Sequence, residues 1–270
     1  MTKKRWSQFF GYFALISAAL IAVFPIAWMA ISATNTSTDI LSGRMIPGTN
    51  LVNNWNNLLN SQDLFTALWN SIRNSFAGTF FNLFICSLAG YGFEIYHSKN
   101  KDLVFRIILI AMMIPFVAIM IPLYQVFGQV GLINTTAGAI LPTVATPFMI
   151  MLFRQYSRAF PKDLIYAARI DGLTELGIFF RIYMPVMKST YAAAFIVSFM
   201  SAWNNYLWPK VILQSADSFT MPMLVSNLMG GYVIDYGVVM LGVLISTIPT
   251  AVIFFVMQKS FTVGIGGAIK

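Results

Sequence analysis

Residues 9–33 read FFGYFALISAALIAVFPIAWMAISA, and no charged side chain occurs between Trp6 and Thr38. A helix that crosses a bilayer needs about 20 consecutive apolar residues, so this stretch alone is long enough to span one. Lys3, Lys4 and Arg5 precede it, as in a signal peptide. A cleavable signal has a shorter apolar core of about 7–15 residues, so the expectation is a retained first helix. The same signature returns further along the chain. Asn74–Phe93 is a second uncharged window. Ile107–Phe153 is a third, too long for one helix and split by the turn-forming Gly128, Gly131, Asn134 and Thr135. Thr190–Trp208 and Gly237–Met257 complete the set. The pattern predicts an all-α integral membrane protein with six transmembrane helices, near 10–33, 71–95, 105–127, 136–153, 190–208 and 237–258. It predicts a single transmembrane domain over residues 1–270 without a linker, with a large loop at 154–189.

Composition agrees. Of the 270 residues 58% are hydrophobic and only 10% charged, with a mean hydropathy of +0.73. A soluble domain carries roughly 25% charged residues. The net charge of +8 would suit nucleic acid, but its distribution follows membrane topology instead. All but Arg44, Arg73 and Lys210 of the 17 Lys and Arg residues fall before the first helix, between helices two and three or four and five, or after the sixth. The positive-inside rule places both termini in the cytoplasm. Pro25, Pro115, Pro122, Pro142, Pro147 and Pro249 lie within the windows; they fit either kinked packing or hinges around a pathway.

Several chemistries are missing. No GxxxxGK[ST] sequence exists to cradle ATP, and the glycine-rich tail Gly264–Lys270 lacks the Ser/Thr and the following helix of a phosphate loop. His97, the only histidine, sits in a basic loop without a ligand cluster. Cys86, the only cysteine, excludes an intrachain disulfide and a Cys-rich metal site, and reads as helix packing. Ion-driven carriers need acids inside the membrane; Glu94 is the one candidate, at the cytoplasmic end of helix two. The energy for any transport is therefore expected from a partner.

The loop between helices four and five carries the most information. It reads Tyr166-Ala167-Ala168-Arg169-Ile170-Asp171-Gly172, then nine residues, then Ile182-Tyr183-Met184-Pro185. Ala167 and Ala168 are helix formers without bulk, letting a partner approach the backbone. Gly172 can adopt the left-handed conformation that ends a helix. Leu164, Ile178, Phe179 and Ile182 are expected to face apolar neighbours while the arginines stay wet.

These intervals resemble the EAA-x3-G-x9-I-x-L-P signature of permease subunits in binding-protein-dependent ABC importers. Tyr166 stands where that family has glutamate, Met184 where it has leucine, and Ser189 where proline is common. The resemblance extends along nearly the whole chain, through Asn70-Ser71, Ser87–Phe93, Ile121–Tyr124, Gly131–Thr135, Arg154–Tyr156, Ala202–Pro209 and Gly264–Lys270. It is closest to the shorter, six-helix permease of the maltose-type sugar importers, which have a type I permease fold. It implies a permease half that performs no chemistry of its own, in the cytoplasmic membrane of a bacterium or archaeon. It further implies a second, homologous permease, two ATPase subunits that bind ATP and Mg, and an extracytoplasmic sugar-binding protein, but no nucleic acid. The ATPase contacts it implies are Tyr166, Ala167, Ala168, Asp171, Gly172, Ile182 and Pro185, within a coupling loop at 160–185, with the C-terminal tail reaching towards the ATPases.

A possible substrate path is Ser198, Ser201, Asn205 and Trp208, which recur at helical spacing on helix five and should face protein or water rather than lipid. Trp203, Tyr206 and Trp208 fit sugar stacking, and fit interfacial anchoring more simply. Asn74, Gly78 and Asn82 on helix two fit close packing as well as a pathway. The asparagine-rich stretch Thr34–Trp69 and the stretch Pro209–Tyr236 read as wet outer loops suited to docking a binding protein. The rival readings are an ion-coupled secondary carrier of a small polar solute and a membrane scaffold without transport.

Overall fold

The computed structural model describes residues 2–266, with side chains over 8–258. Among these residues the chain is helical, with no strand. The basic side chains of Lys3, Lys4, Arg5 and Lys259, and the end of the tail from Gly267 to Lys270, lie outside the described residues. The helices are α1 (Thr2–Ser32), α2 (Ser37–Leu41), α3 (Leu51–Ser61), α4 (Leu64–Ile95), α5 (Lys99–Ala111), α6 (Phe116–Gln129), α7 (Thr136–Ile140) and α8 (Pro147–Ser157). They continue with α9 (Lys162–Ile170), α10 (Glu175–Ile178), α11 (Met184–Val186), α12 (Lys188–Trp203), α13 (Leu207–Ile212), α14 (Met221–Leu228) and α15 (Tyr236–Gly266).

Three helices are long and apolar enough to cross a membrane unbroken: Gln8–Ser32, Leu64–Ile95 and Tyr236–Gln258. Three bent pairs of helices pass the same test only when each pair is taken together, which gives up to six spans: α5 with α6 at 101°, the 136–143 helix with α8 at 47°, and the 175–186 segment with the helix that follows at 82°. The bend after α5 has a local cause. After α5 the N–H groups of Met112, Met113 and Ile114 bond three residues back, which tightens the turn, and Pro115 then lacks the N–H needed to continue. The expected single helix at 105–127 is thus two helices. The fifth expected span, 190–208, also differs: α12 stops at Trp203, and Asn204–Tyr206 turn the chain into α13. Between α6 and α7 the expected turn is present. Gly131 (φ 70°) and Asn134 (φ 57°) adopt left-handed conformations, and the Thr135 hydroxyl accepts the Gly138 N–H at 2.9 Å to cap α7.

The chain forms two compact units, one made of the residues up to Leu64 with Leu224–Pro249, the other of Phe65–Met223 with the residues from Thr250. In the first, buried Asn54 donates to the carbonyls of Ala33 (2.9 Å) and Asn35 (3.0 Å), pinning α3 to the end of α1. The asparagine-rich stretch is therefore not uniformly wet. The start of α15 joins the same knot: Tyr236 N–H donates to Ser37 Oγ at 3.0 Å, and Ser37 to Asp235 at 3.1 Å. A Cβ on Gly237 would lie 2.7 Å from the Asn35 carbonyl, so only glycine fits there.

In the second unit α4 is the spine. A side chain on Gly90 would meet the Phe153 Cβ at 2.6 Å and the Arg154 nitrogen at 2.7 Å, so α4 and α8 touch backbone to backbone. Asn82, buried, donates to Thr143 O (2.7 Å) and Thr146 Oγ1 (3.1 Å) and accepts from Ser198 Oγ (3.2 Å). One amide therefore ties three segments together. Cys86 is fully buried beside it in packing with Phe105, Met149 and Phe153, as the sequence suggested.

Candidate functional site

The loop signature folds into a short helix with two faces. Pro161 precedes α9, and Asp163 in its first turn and Arg169 in its last complement the helix dipole. The helix ends in a Schellman motif: Gly172 N–H donates to Arg169 O at 3.1 Å and Leu173 N–H to Ala168 O at 3.0 Å. Gly172 supplies the positive φ of 79° that this geometry requires. Thr174 then caps α10, accepting the Gly177 N–H at 3.2 Å.

The inner face of α9 is Ile165 and Ala168, three residues apart and buried against Tyr91, Phe160, Ile178, Phe179, Tyr183 and Met187. The outer face is Tyr166, 55% exposed, and Ile170, 87% exposed, with Ala167, Asp171 and Gly172 also exposed. Ala168 therefore gives its smallness to this chain's own core, and Ala167 is the alanine open to a partner. Leu164 is exposed too, against the expectation, whereas Ile178 and Phe179 are fully buried as expected. Ile182 is half-buried and Pro185 exposed.

Behind α10 the chain winds through a wide turn, Phe179–Tyr183, whose rings form the hub of the segment. Tyr183 stacks on Phe179 at 5.4 Å, meets Tyr91 edge-on at 4.8 Å, and shares a 2.7 Å hydrogen bond with Ser157 at the end of α8. One packed cluster thus joins α9 to residues of α4, α8 and α12.

Two ionic clamps fix this end of the bundle. Arg169 donates to Glu175 at 2.8 and 3.3 Å, and the Tyr96 hydroxyl donates to the same carboxylate. Arg169 and then Tyr96 hold the Glu175 carboxyl below the usual range, while burial, followed by the bond to Glu175, pushes the Tyr96 phenol up. Deeper, Arg154 is buried, pairs with Asp102 at 2.5 Å and Glu94 at 3.5 Å, and lies over the Phe105 ring at 4.2 Å. Arg158 reaches Glu94 at 3.6 Å and His97 reaches Asp102 at 2.8 Å. Arg154 is therefore not the wet arginine expected, and the sequence held no periodic signal that would have paired it with residues 50 to 60 positions away.

The helix-five stripe is divided. Ser198 is buried on Asn82 and Trp208 is fully buried, its indole N–H donating to Gly138 O at 2.8 Å and its ring meeting Phe127 at 5.4 Å. Ser198 and Ser201 line one cleft and Asn205 another, whereas Trp208 lines neither. Because α12 ends at Trp203, the four residues do not share one helix face.

The chain belongs to the family of binding-protein-dependent transport system inner membrane components, whose pattern matches residues 83–265. It is 45% identical over 268 residues to the lactose transport system permease protein LacG of Rhizobium radiobacter, covering 99% of this chain and 98% of that one. It is 34% identical to the arabinooligosaccharides transport system permease protein AraQ of Bacillus subtilis, covering 96% and 94%. The sn-glycerol-3-phosphate transport system permease protein UgpE of Escherichia coli K12 is 29% identical, covering 96% of each chain. Among solved structures, a bacterial ABC transporter involved in the import of the acidic polysaccharide alginate matches with a TM-score of 0.84 over 97% of this chain and 99% of that one. At 21% identity that match speaks to the fold.

Proposed function

We propose that the chain is one of two permeases of an ATP-driven importer of a sugar or oligosaccharide, coupled to its ATPases through the 160–185 segment. The observation that carries the coupling role is the division of α9: Ile165 and Ala168 are locked into the core while Tyr166 and Ile170 stand exposed four residues apart on one helical face. Such a face is suited to a groove on another protein. The end-to-end similarity to the lactose and arabinooligosaccharide permeases supports a sugar as cargo. The remaining parts of the proposal are a cytoplasmic membrane of a bacterium or archaeon, both termini in the cytoplasm, a second homologous permease, two ATPases holding ATP and Mg, and an external sugar-binding protein.

In this reading the work is alternating access. Movement of the ATPases drives α9, the aromatic hub around Tyr183 passes it to α8 and α12, and the path opens to one side or the other. The cargo shifts that equilibrium only through its different affinity for the two states. An ion-coupled carrier fits less well, because Glu94 is already ion-paired with Arg154 and Arg158. The test is uptake by proteoliposomes containing the complex copurified from its native membrane, with purified binding protein outside and lactose as the first probe. Uptake should require internal ATP and persist when the proton gradient is collapsed. Uptake driven by a proton or sodium gradient without ATP would overturn the proposal.

A further inference from the structure

The short helix α3 has three flanks. At about 3.6 residues per turn, Asn54 and Leu58, both buried, lie on the first. Asn53, Asn56, Asn57 and Asn60, all exposed, fill a second flank about 100° wide. Leu51, Val52, Trp55 and Leu59 fill the third, again about 100° wide, and all four are exposed although apolar, Val52 to 68%. No charged residue occurs between Arg44 and Asp63. A contiguous apolar stripe on an exposed helix marks a surface that something covers.

The depth of α3 says what covers it. The membrane-crossing part of α1 ends at Ser32. Asn54 donates to the Ala33 carbonyl at 2.9 Å, the Asn50 N–H to the Thr34 carbonyl at 2.9 Å, and the Gly48 N–H to the Thr34 hydroxyl at 2.8 Å. So α3 is bonded to the first residues beyond the span. The exposed surface of α1 reaches Ala30, only about 5 Å short of Ala33 at 1.5 Å per residue. A helix with its side chains is about 10–12 Å across, so α3 overlaps the level at which the lipid-facing surface of α1 stops.

We propose that α3 is an interfacial helix, lying at the bilayer surface on the side where α1 ends. The flank of Leu51, Val52, Trp55 and Leu59 dips into the headgroup and upper acyl layer, and the asparagine flank faces water. An indole suits that depth, because its ring is apolar and its N–H stays in reach of the wet headgroups. Interfacial helices are held by buried apolar area and, in many cases, by Lys and Arg drawn to anionic lipids. With no charge of its own, α3 uses only the first, so its attachment is indifferent to lipid charge and to salt. A soluble protein approaching from the water meets the asparagine flank instead.

The test uses the complete complex in phosphatidylcholine nanodiscs, with Cys86→Ala and a nitroxide on one of Val52→Cys, Leu59→Cys, Asn56→Cys or Asn60→Cys. Power-saturation EPR reads collisions with oxygen, which concentrates in lipid, and with a water-soluble nickel chelate. The ratio of oxygen to nickel accessibility should be several-fold higher at Val52→Cys and Leu59→Cys than at Asn56→Cys and Asn60→Cys. Added phosphatidylglycerol, high salt or binding protein should leave that contrast in place. Equal ratios on the two flanks would put both in water and overturn the proposal. Labels at Val52→Cys and Leu59→Cys that meet neither probe would overturn it too, by placing a protein on the flank: another subunit if the protection is constant, the binding protein if it appears only on its addition. A contrast that needs phosphatidylglycerol would overturn the uncharged mode of attachment.

Discussion

At Gly172 and Ile170 a strain effect and a docking effect can be told apart. A Cβ on Gly172 would meet nothing within 4 Å, so the only penalty of Gly172→Val is its φ of 79°. A left-handed residue costs an L-amino acid about 1–2 kcal/mol, more when β-branched. The variant should insert and assemble, but with a lower melting temperature and weaker stimulation of ATPase by loaded binding protein. Ile170→Asp strains nothing, since the side chain is 87% exposed. It should leave the melting temperature unchanged and weaken ATPase association roughly tenfold or more, the worth of burying one large aliphatic side chain. Unaltered association by pull-down would remove the outer face of α9 from the interface. Ala168→Asp belongs to a different class, because Ala168 lies in the core with Ile165 and Tyr91. An unpaired carboxylate there should cost about 3–5 kcal/mol and show as failed folding rather than failed docking.

The elements show which parts of the fold were legible. Long uncharged windows announce α1, α4 and α15, because lipid demands an apolar surface all round and tolerates few interruptions. The turn before α7 was legible through Gly131, Asn134 and Thr135, each of a type that favours left-handed backbone or caps. The break after α5 was not, since Pro115 within an apolar run can kink a span or end it. The stripe Ser198–Ser201–Asn205–Trp208 was read as one face because spacing assumes an unbroken helix, and α12 ends at Trp203. The clamp of Arg169, Tyr96 and Glu175 was invisible because it joins α9, α10 and the end of α4, with Tyr96 more than 70 residues from the other two. It makes its own prediction. Glu175 titrates below the ordinary carboxylate value of 4.5, so its contribution is present at neutral pH and lost only as pH falls through that lowered value. Protease resistance of the 160–185 segment should thus be constant from neutral pH down to about 5. Glu175→Gln should lose part of it at every pH, and a loss of protection already near neutrality in the native chain would deny the clamp this role.

For the whole molecule, orientation follows from charge rather than from packing. The basic residues of the 154–189 segment and those around Lys99–Arg106 share one side in the six-span reading, which the positive-inside rule assigns to the cytoplasm. Thiol labelling tests this if the probe sites are chosen by structure. Cys86 is fully buried, and Cys86→Ala removes it as a background thiol. Asn134 is a poor outer site despite its exposure. It sits at φ 57°, and its side-chain oxygen accepts the backbone N–H groups of Gln214 and Ser215 at 3.0 and 3.1 Å. Val130 is 61% exposed at the end of α6 and accepts a cysteine without breaking such bonds. Lys162, exposed at the start of α9, serves for the other side. An impermeant maleimide applied to intact cells should label Val130→Cys and spare Lys162→Cys until the membrane is opened. The opposite pattern would put α9 outside the cell, where no ATPase could reach it, and the coupling role proposed for Tyr166 and Ile170 would fall with the topology.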